Sequence, residues 1–102
     1  MINPQMVKKI QKMQEDMKRA QAEINASTFY GQAGGSVVKV AVKGTKEVIS
    51  VEIKQDEIDL NDVVMLQDLI VVATNDALKK VDRELEETIG SFTQGMKIPG
   101  LF

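Results

Sequence analysis

The chain has 102 residues, the size of a single domain, and carries a net charge of −2. It contains no cysteine and no histidine, which excludes disulfide frameworks, thiolate nucleophiles, Cys/His zinc sites and catalysis by an imidazole base. The charge is uneven, because residues 1–54 carry nine basic and five acidic side chains whereas residues 55–102 carry four basic and ten acidic ones, and such a distribution can give an acidic protein a basic surface.

The first predicted element is a long helix over residues 5–26. Pro4 suits the first turn of a helix, and the following residues are mostly Gln, Lys, Glu, Met and Ala, which favour helix. Apolar residues recur in alternating steps of four and three, which is typical of the narrow seam of a coiled coil. A seam of this kind needs a facing helix along its length. Its residues, called the methionine seam below, are Met6, Ile10, Met13, Met17, Ala20 and Ile24.

A small antiparallel sheet is predicted next. Residues 28–30 are predicted as a short strand and residues 31–36 as a loop. Residues 37–43 and 47–54 are predicted to form a hairpin across Gly44-Thr45. Glycine at the first position of a two-residue turn indicates turn type II′.

That turn also fixes a predicted register for the hairpin. It sets Lys43 opposite Lys46, and therefore places Val40 opposite Ile49 and Val38 opposite Val51. Because side chains alternate along a strand, the same register gathers the apolar residues on one face, which we expect to be buried. These residues are Val38, Val40, Val42, Ile49, Val51 and Ile53.

A second long helix is predicted from Asn61 or Asp62 to about Ile89, with Gly90 as its stop. Acidic residues cluster at its start, where the helix dipole favours negative charge. Residues 63–73 are apolar on nearly all sides, so this part of the helix needs two surfaces to pack against. The sheet can cover one of them, and the first helix or a second copy of the chain can cover the other.

Polar side chains inside this apolar part of the second helix need partners. Asp68, Asn75 and Asp76 have apolar neighbours, and buried or half-buried polar groups are normally hydrogen-bonded. We expect them to bond from the helix to a loop or to set the register of a dimer.

Two patterns suggest ligand sites but have simpler explanations. The acidic cluster before the second helix lacks the glycine and the closing glutamate of a calcium-binding loop, so we interpret it as a solvated helix start. The glycine-containing loop at 31–36 lacks a Walker ending and precedes a strand, so we interpret it as a connector. We therefore predict no enzyme activity, no metal, no cofactor and no small-molecule substrate. The acidic cluster consists of Asp56, Glu57, Asp59 and Asp62.

The expected organisation is one domain over residues 1–102, with residues 92–102 as an extended tail. The uncharged apolar run at residues 69–75 is too short to cross a bilayer. The first residues do not form a secretory signal. A cytoplasmic location without membrane contact is the expectation.

Basic side chains of the first helix are the best functional candidates. A charged helix face is often simply solvated, but a cluster of lysines near a helix start opposes the helix dipole and so costs stability. The chain has no Trp and four aromatic residues, which disfavours base stacking on single strands and leaves duplex phosphates as the better ligand. The predicted phosphate-binding residues are Lys8, Lys9, Lys12, Lys18 and Arg19, with Lys79, Lys80 and Arg83 as weaker candidates.

Four segments together form a recognisable combination. They are Met13-Gln14-x-x-Met17 in the first helix, Val38-Lys39-Val40 with Gly44 and Val51-Glu52-Ile53 in the hairpin, Met65-Leu66-Gln67-Asp68-Leu69-Ile70 with Asn75-Asp76-Ala77 in the second helix, and Pro99-Gly100-Leu101 in the tail. In order and spacing, over nearly the whole chain, they resemble the YbaB/EbfC family of bacterial nucleoid-associated proteins.

The resemblance implies an α+β fold and a homodimer in which the small sheets and second helices pack together while the long helices project like the arms of tweezers. It also implies binding to duplex DNA, often with low sequence specificity, and a role in nucleoid organisation and gene regulation. No catalytic residues are implied. The alternative function is a protein–protein adaptor or scaffold that uses the methionine seam and does not bind DNA.

Overall fold

Two helices and three strands make up the computed structural model, which describes residues 3–93. The elements are α1 (Pro4–Ala26), β1 (Thr28–Ala33), β2 (Val38–Lys43), β3 (Val48–Ile53), a 3-10 turn (Gln55–Glu57) and α2 (Val63–Thr93). The strands form one antiparallel sheet in the order β1-β2-β3, so the predicted α+β architecture is confirmed. The molecule is elongated, with principal extents of 69 × 27 × 16 Å.

Both ends of α1 are capped by local hydrogen bonds. At the start, the Asn3 carboxamide oxygen accepts from the Met6 N–H at 2.7 Å, and Pro4 occupies the first turn as predicted. At the end, the Ser27 N–H donates to the carbonyl of Ile24 at 3.0 Å, and the Ser27 hydroxyl donates to the carbonyl of Glu23 at 2.7 Å. These caps stabilise the helix at the predicted boundaries.

The start of α2 is also as predicted, but its end is not. Asp62 is the N-cap, because its carboxylate accepts from the Met65 N–H at 3.0 Å. The prediction that Gly90 stops the helix is wrong, since α2 continues to Thr93. A glycine permits a left-handed end to a helix but does not require one. Of the predicted tail at 92–102, Phe92 and Thr93 lie in α2, and the rest lies outside the described residues. Among residues 3–93 no helix combines the length and the apolar character needed to cross a membrane.

β1 is longer than predicted. The predicted start of the loop at residue 31 is wrong, because the strand continues through Ala33. Gly31 pairs with Val40 of β2 and faces α2, where a Cβ would collide with the carbonyl oxygen of Ala73. Gly31 is therefore required because α2 approaches the sheet closely. The sequence interpretation instead assigns this glycine to a loop.

The hairpin is present, but its predicted register is wrong by two residues over most of its length. Val40 pairs with Val51 instead of Ile49, and Val38 pairs with Ile53 instead of Val51. The error has two sources: the tip has one more loop residue than expected, and an irregularity between Ala41 and Val42 adds another. The shift of two residues keeps Val51 and Ile53 on their predicted face, whereas the shift of one residue near the tip pairs Val48 with Val42 and places Val48 on the face opposite to the predicted one.

The turn itself differs from type II′. Lys43 bonds to the carbonyl of Glu47 through its N–H at 2.8 Å, so the loop has three residues. The residue with positive φ is Lys46, at 73°, and not Gly44. Gly44 is instead required by packing, because a Cβ there would collide with the carbonyl oxygen of Ile24 in α1.

The core lies between the sheet and α2 and covers only two of the three strands. α2 packs on β1 and β2, whereas Val48, Ile49 and Val51 of β3 remain exposed, with Val51 at 42%, and Ile53 at the end of β3 is half-buried against the core. The predicted burial is therefore confirmed for β2 and is wrong for Val51 and Ile49 in the single chain. The buried core residues are Ala33, Val38, Val40, Val42, Ala73, Ala77 and Val81.

Candidate nucleic-acid interface

α1 leaves the sheet as a projecting arm. Its one buried residue, Ile24, lies against Gly44 at the hairpin tip, whereas Met6 near the other end is 51% exposed. The same hairpin tip binds α2, because Lys46 Nζ lies 2.8 Å from an Asp82 carboxylate oxygen. Since α1 and α2 also contact each other, both helices continue from this tip away from the sheet, α1 towards its N-terminus and α2 towards its C-terminus.

The three predicted lysines nearest the helix start lie on the outer half of this arm. Lys8, Lys9 and Lys12 are exposed, and none of them forms an ion pair within residues 3–93. No acidic residue precedes Glu15 in the sequence. At about 100° of rotation per residue, Lys8 and Lys12 lie roughly 120–160° from Met6, on the side of α1 that faces away from the methionine seam. The outer half of the arm is therefore a positively charged surface without local neutralisation.

Lys18 and Arg19 continue the basic character of α1 towards the sheet, and both are exposed. The Arg19 guanidinium lies 3.7 Å from a carboxylate oxygen of Asp16. The Arg19 side chain is 72% exposed, so this pair is a weak surface contact that leaves the guanidinium available to another anion.

Lys80, a weaker candidate on α2, has a structural role. Its ammonium group donates to the carbonyl of Tyr30 at 2.7 Å and lies 3.7 Å from a carboxylate oxygen of Asp76. Asp76 also accepts from the Gln32 N–H at 3.1 Å. The predicted hydrogen bonding from Asp76 is thus confirmed, although its partner belongs to strand β1 and not to a loop. Together these contacts fix α2 along the edge of β1.

Lys79 and Arg83 are exposed on α2, and neither forms an ion pair within the described part of the chain. The structure does not bring them together with the lysines at the arm tip. Lys12 lies about 18 Å from the hairpin tip along α1, on the side away from the sheet. Lys79 precedes Asp82 in α2 and therefore lies on the sheet side of the hairpin tip. Acidic residues also surround Arg83 in the sequence: Asp82, Glu84, Glu86 and Glu87.

The outer face of the sheet carries a basic and aromatic group that the sequence analysis did not select. Lys39 Nζ lies 4.7 Å from the centre of the Tyr30 ring, a cation–π distance. Lys39 is paired with Gln32 on one side and Glu52 on the other. Strand alternation could have placed Lys39 and Tyr30 side by side only if the pairing of β1 with β2 had been predicted correctly. Because Glu52 opposes its charge, Lys39 is a weaker phosphate candidate than the arm lysines.

Apolar side chains also remain uncovered on the first half of α2 and on the edge strand β3. Val64 is 67% exposed, and Val51 of β3 is also open. These exposed residues of α2 lie in the segment 63–73 that the sequence predicts to be apolar on nearly all sides. Its other exposed members are Val63, Met65, Val71 and Val72.

The acidic cluster serves the helix start. Asp62 caps α2, and the Asp59 carboxylate accepts from the Asn61 N–H at 2.9 Å. Over residues 3–93 no three acidic side chains converge in the way that a metal ion requires. The interpretation of this cluster as a helix start is confirmed for Asp62.

Comparisons with known proteins agree with this architecture. Residues 2–96 match the model of the YbaB/EbfC DNA-binding family. A nucleoid-associated protein of Oceanobacillus iheyensis is 50% identical over 97 residues, which cover 95% of this chain and 93% of the relative. One from Pelotomaculum thermopropionicum is 47% identical over 97 residues, covering 95% and 92%. The crystal structure of an uncharacterized protein from Helicobacter pylori has the same fold, with a TM-score of 0.71 at 17% identity, covering 89% of this chain and 97% of that one.

Proposed function

The chain belongs to the YbaB/EbfC DNA-binding family, and we propose that it is a nucleoid-associated protein that binds duplex DNA mainly through phosphate contacts. The observation that carries the proposal is the unneutralised lysine surface on the outer half of α1, formed by Lys8, Lys9 and Lys12. B-DNA carries one negative charge per about 1.7 Å of axis, so a short stretch of helix with three lysines can meet several phosphates.

The remaining basic residues extend this contact. Lys18 and Arg19 lie further along α1 and supply additional donors, with Arg19 able to exchange Asp16 for a phosphate. Lys79 and Arg83 contribute less, because they lie away from the arm tip, and Lys80 contributes least because it binds Tyr30 and Asp76. The acidic second half of the chain repels DNA, so the duplex approaches from the side of α1 with modest affinity.

The functional unit in this proposal is a homodimer. Support comes from the uncovered apolar surface, since β3 and the first half of α2 expose Val51 and Val64 in the single chain. Water contact with so many apolar side chains is unfavourable, and a second copy of the same surface would cover them. A dimer also presents each lysine cluster twice, which doubles the number of phosphates that one particle can contact.

The cellular role that accompanies this activity is nucleoid organisation and gene regulation, at the nucleoid in the cytoplasm. The relatives named as nucleoid-associated proteins support this assignment. No catalytic residue, cofactor or small-molecule substrate forms part of the proposal.

A second function has one observation in its favour. The outer part of the methionine seam is exposed, with Met6 and Ile10 open to solvent, and such a surface suits a protein partner. An adaptor that uses this seam without binding DNA is therefore the competing proposal.

Titration of a short fluorescent duplex at several salt concentrations, with sedimentation of the protein alone in parallel, separates the two functions. We expect a dimer that retains DNA with log affinity falling linearly as log salt rises, since phosphate contacts release counterions. Absence of binding even at low salt would contradict DNA binding and favour the adaptor.

A further inference from the structure

The methionine seam is covered over only part of its length. Ile24 is buried and Met17 and Met13 are half-buried, but Ile10 is 40% exposed and Met6 is more open still. Met6, Ile10 and Met13 line a shallow apolar groove together with the stem of Lys9. Within residues 3–93, the outer half of the seam therefore lacks the facing surface that its inner half has.

The lengths of the two helices explain why the covering stops there. Ile24 of α1 and Asp82 of α2 both lie at the hairpin tip, and the two helices continue from it side by side. α2 is described to Thr93, eleven residues further on, which is about 16 Å. Eleven residues back along α1 from Ile24 is Met13. The part of α1 before Met13 thus extends beyond the described part of α2.

The spacing of the seam indicates what kind of surface should cover its outer half. Steps of four and three continue without a break from Met6 to Ile24. A strict repeat of this kind accommodates the side chains of another α-helix, and α2 satisfies it for the inner half. Because the outer half has the same spacing, we expect it to pack against an α-helix as well.

Two of the three arm lysines, Lys8 and Lys12, lie away from this groove, whereas Lys9 lies beside it. Lys8 and Lys12 lie on the far side of α1 from Met6, so an α1 bound to phosphates through these lysines turns its seam away from the duplex. Lys8 and Lys12 can therefore contact a duplex while another partner occupies the groove and Lys9.

We propose that the outer methionine seam binds the outer seam of α1 from a second copy of the chain, with the two helices antiparallel. A parallel arrangement would bring the lysine clusters of the two copies together. An antiparallel arrangement that packs Ile10 against Met13 of the second copy also brings Lys9, beside the seam, near Asp16 of that copy. Asp16 has only the weak contact with Arg19 at 3.7 Å, so it is available for this pair.

Seam pairing joins two of the proposed dimers and leaves the lysine faces directed outwards. Each face could then hold its own duplex, so the pairing would bridge two DNA segments. The bridging rests on the proposed DNA binding, whereas the pairing of the helices does not.

Cross-linking tests the pairing directly, because the natural chain has no cysteine. Chains with Ile10→Cys are mixed with chains carrying Met13→Cys and treated with a short bis-maleimide. We expect several-fold more covalent pairs than in a mixture of Ile10→Cys with Glu15→Cys, since Glu15 lies on the opposite side of the same helix. Equal yields in the two mixtures would overturn the proposal. A second outcome would also overturn it: chains with Ile10→Cys form no cross-link and react only slowly with a monofunctional maleimide. That result would mean that the seam is covered within its own chain.

Sedimentation and DNA titration of Ile10→Glu separate this inference from the proposed function. Ile10 is exposed in the single chain and Glu favours helix, so the variant keeps its fold. We expect a lower weight-average mass than for the wild type at equal concentration, and an affinity for a single duplex no lower than that of a control with the same added charge. The control is Gln11→Glu, which adds the same charge off the seam. Equal masses for Ile10→Glu and the wild type would contradict the pairing, whereas loss of DNA binding by the wild type would contradict only the proposed function.

Discussion

Gly44 lies so close to the carbonyl oxygen of Ile24 that no Cβ fits between the hairpin tip and the last turn of α1. Its N–H donates to the carbonyl of Ser27 at 3.0 Å, and the Ser27 N–H in turn caps α1 through Ile24. The contact fixes the point and the direction at which the arm leaves the sheet. The position of the arm lysines relative to the rest of the molecule therefore depends on a residue without a side chain.

We expect Gly44→Ala to lower the free energy of unfolding by about 1–3 kcal/mol, because the new methyl group displaces the backbone of α1. Urea denaturation measures the effect. The matched control is Gly90→Ala, since Gly90 lies within α2 and a Cβ there meets nothing within 4 Å. That control should raise the free energy of unfolding by about 0.5–1 kcal/mol, as alanine favours helix interiors over glycine. Effects of the same sign in both variants would contradict the packing role of Gly44.

Lys80 is expected to matter for stability more than for DNA. Lys80→Ala removes the bond to the Tyr30 carbonyl and the contact with Asp76, and should lower the free energy of unfolding by about 1 kcal/mol. The neighbouring Lys79→Ala removes an equal charge without either contact, and should change the free energy of unfolding by less than about 0.5 kcal/mol. Thermal or urea unfolding of the two variants checks this, and equal stabilities would show that the Lys80 contacts contribute nothing.

Val64→Glu tests the proposed homodimer. Val64 is exposed in the single chain and lies in the first turn of α2, where an acidic residue suits the helix dipole, so the fold should persist. Burying that new carboxylate against a second copy is costly, and we expect the dimer to dissociate at least ten-fold more readily in sedimentation equilibrium. Ile89→Glu makes the same exchange at the far end of the helix and should leave the dimer intact. A dimer of unchanged affinity in Val64→Glu would place the interface elsewhere.

The fold follows from the sequence wherever one physical requirement determines the residue type. The spacing of the methionine seam and the cap at Asp62 identified both helices and the start of α2. The predictions made from glycines were wrong, because the same residue type occurs in turns, at helix ends and at sites of close packing. Gly31 and Gly44 are required by the approach of helices that are distant in sequence, and no local pattern reveals such contacts.

The residues of the candidate site likewise fall into those that the sequence identifies and those that it does not. The exposed lysines of α1 could be selected from sequence, because a basic cluster at a helix start has no local stabilising role. The role of Lys80 could not, since its partner Tyr30 is fifty residues away and bonds through a backbone carbonyl. The pairing of Lys39 with Tyr30 likewise depends on a strand register that the turn sequence alone did not give correctly.

The central claim is that the arm lysines hold the duplex by its phosphates, and the salt dependence of binding tests it most directly. The wild type is compared with a variant in which Lys8, Lys9 and Lys12 are all replaced by Ala. The control is a variant with Lys39, Lys43 and Lys54 replaced by Ala, which loses the same charge from the sheet and its following residue.

We expect the slope of log affinity against log salt to fall by roughly one for each arm lysine that contacts DNA, counted in both copies of a dimer, with little change in the control. Preference among duplex sequences should be unaffected, because phosphate contacts carry no sequence information. An unchanged slope in the arm variant, or an equal fall in the sheet control, would contradict the account.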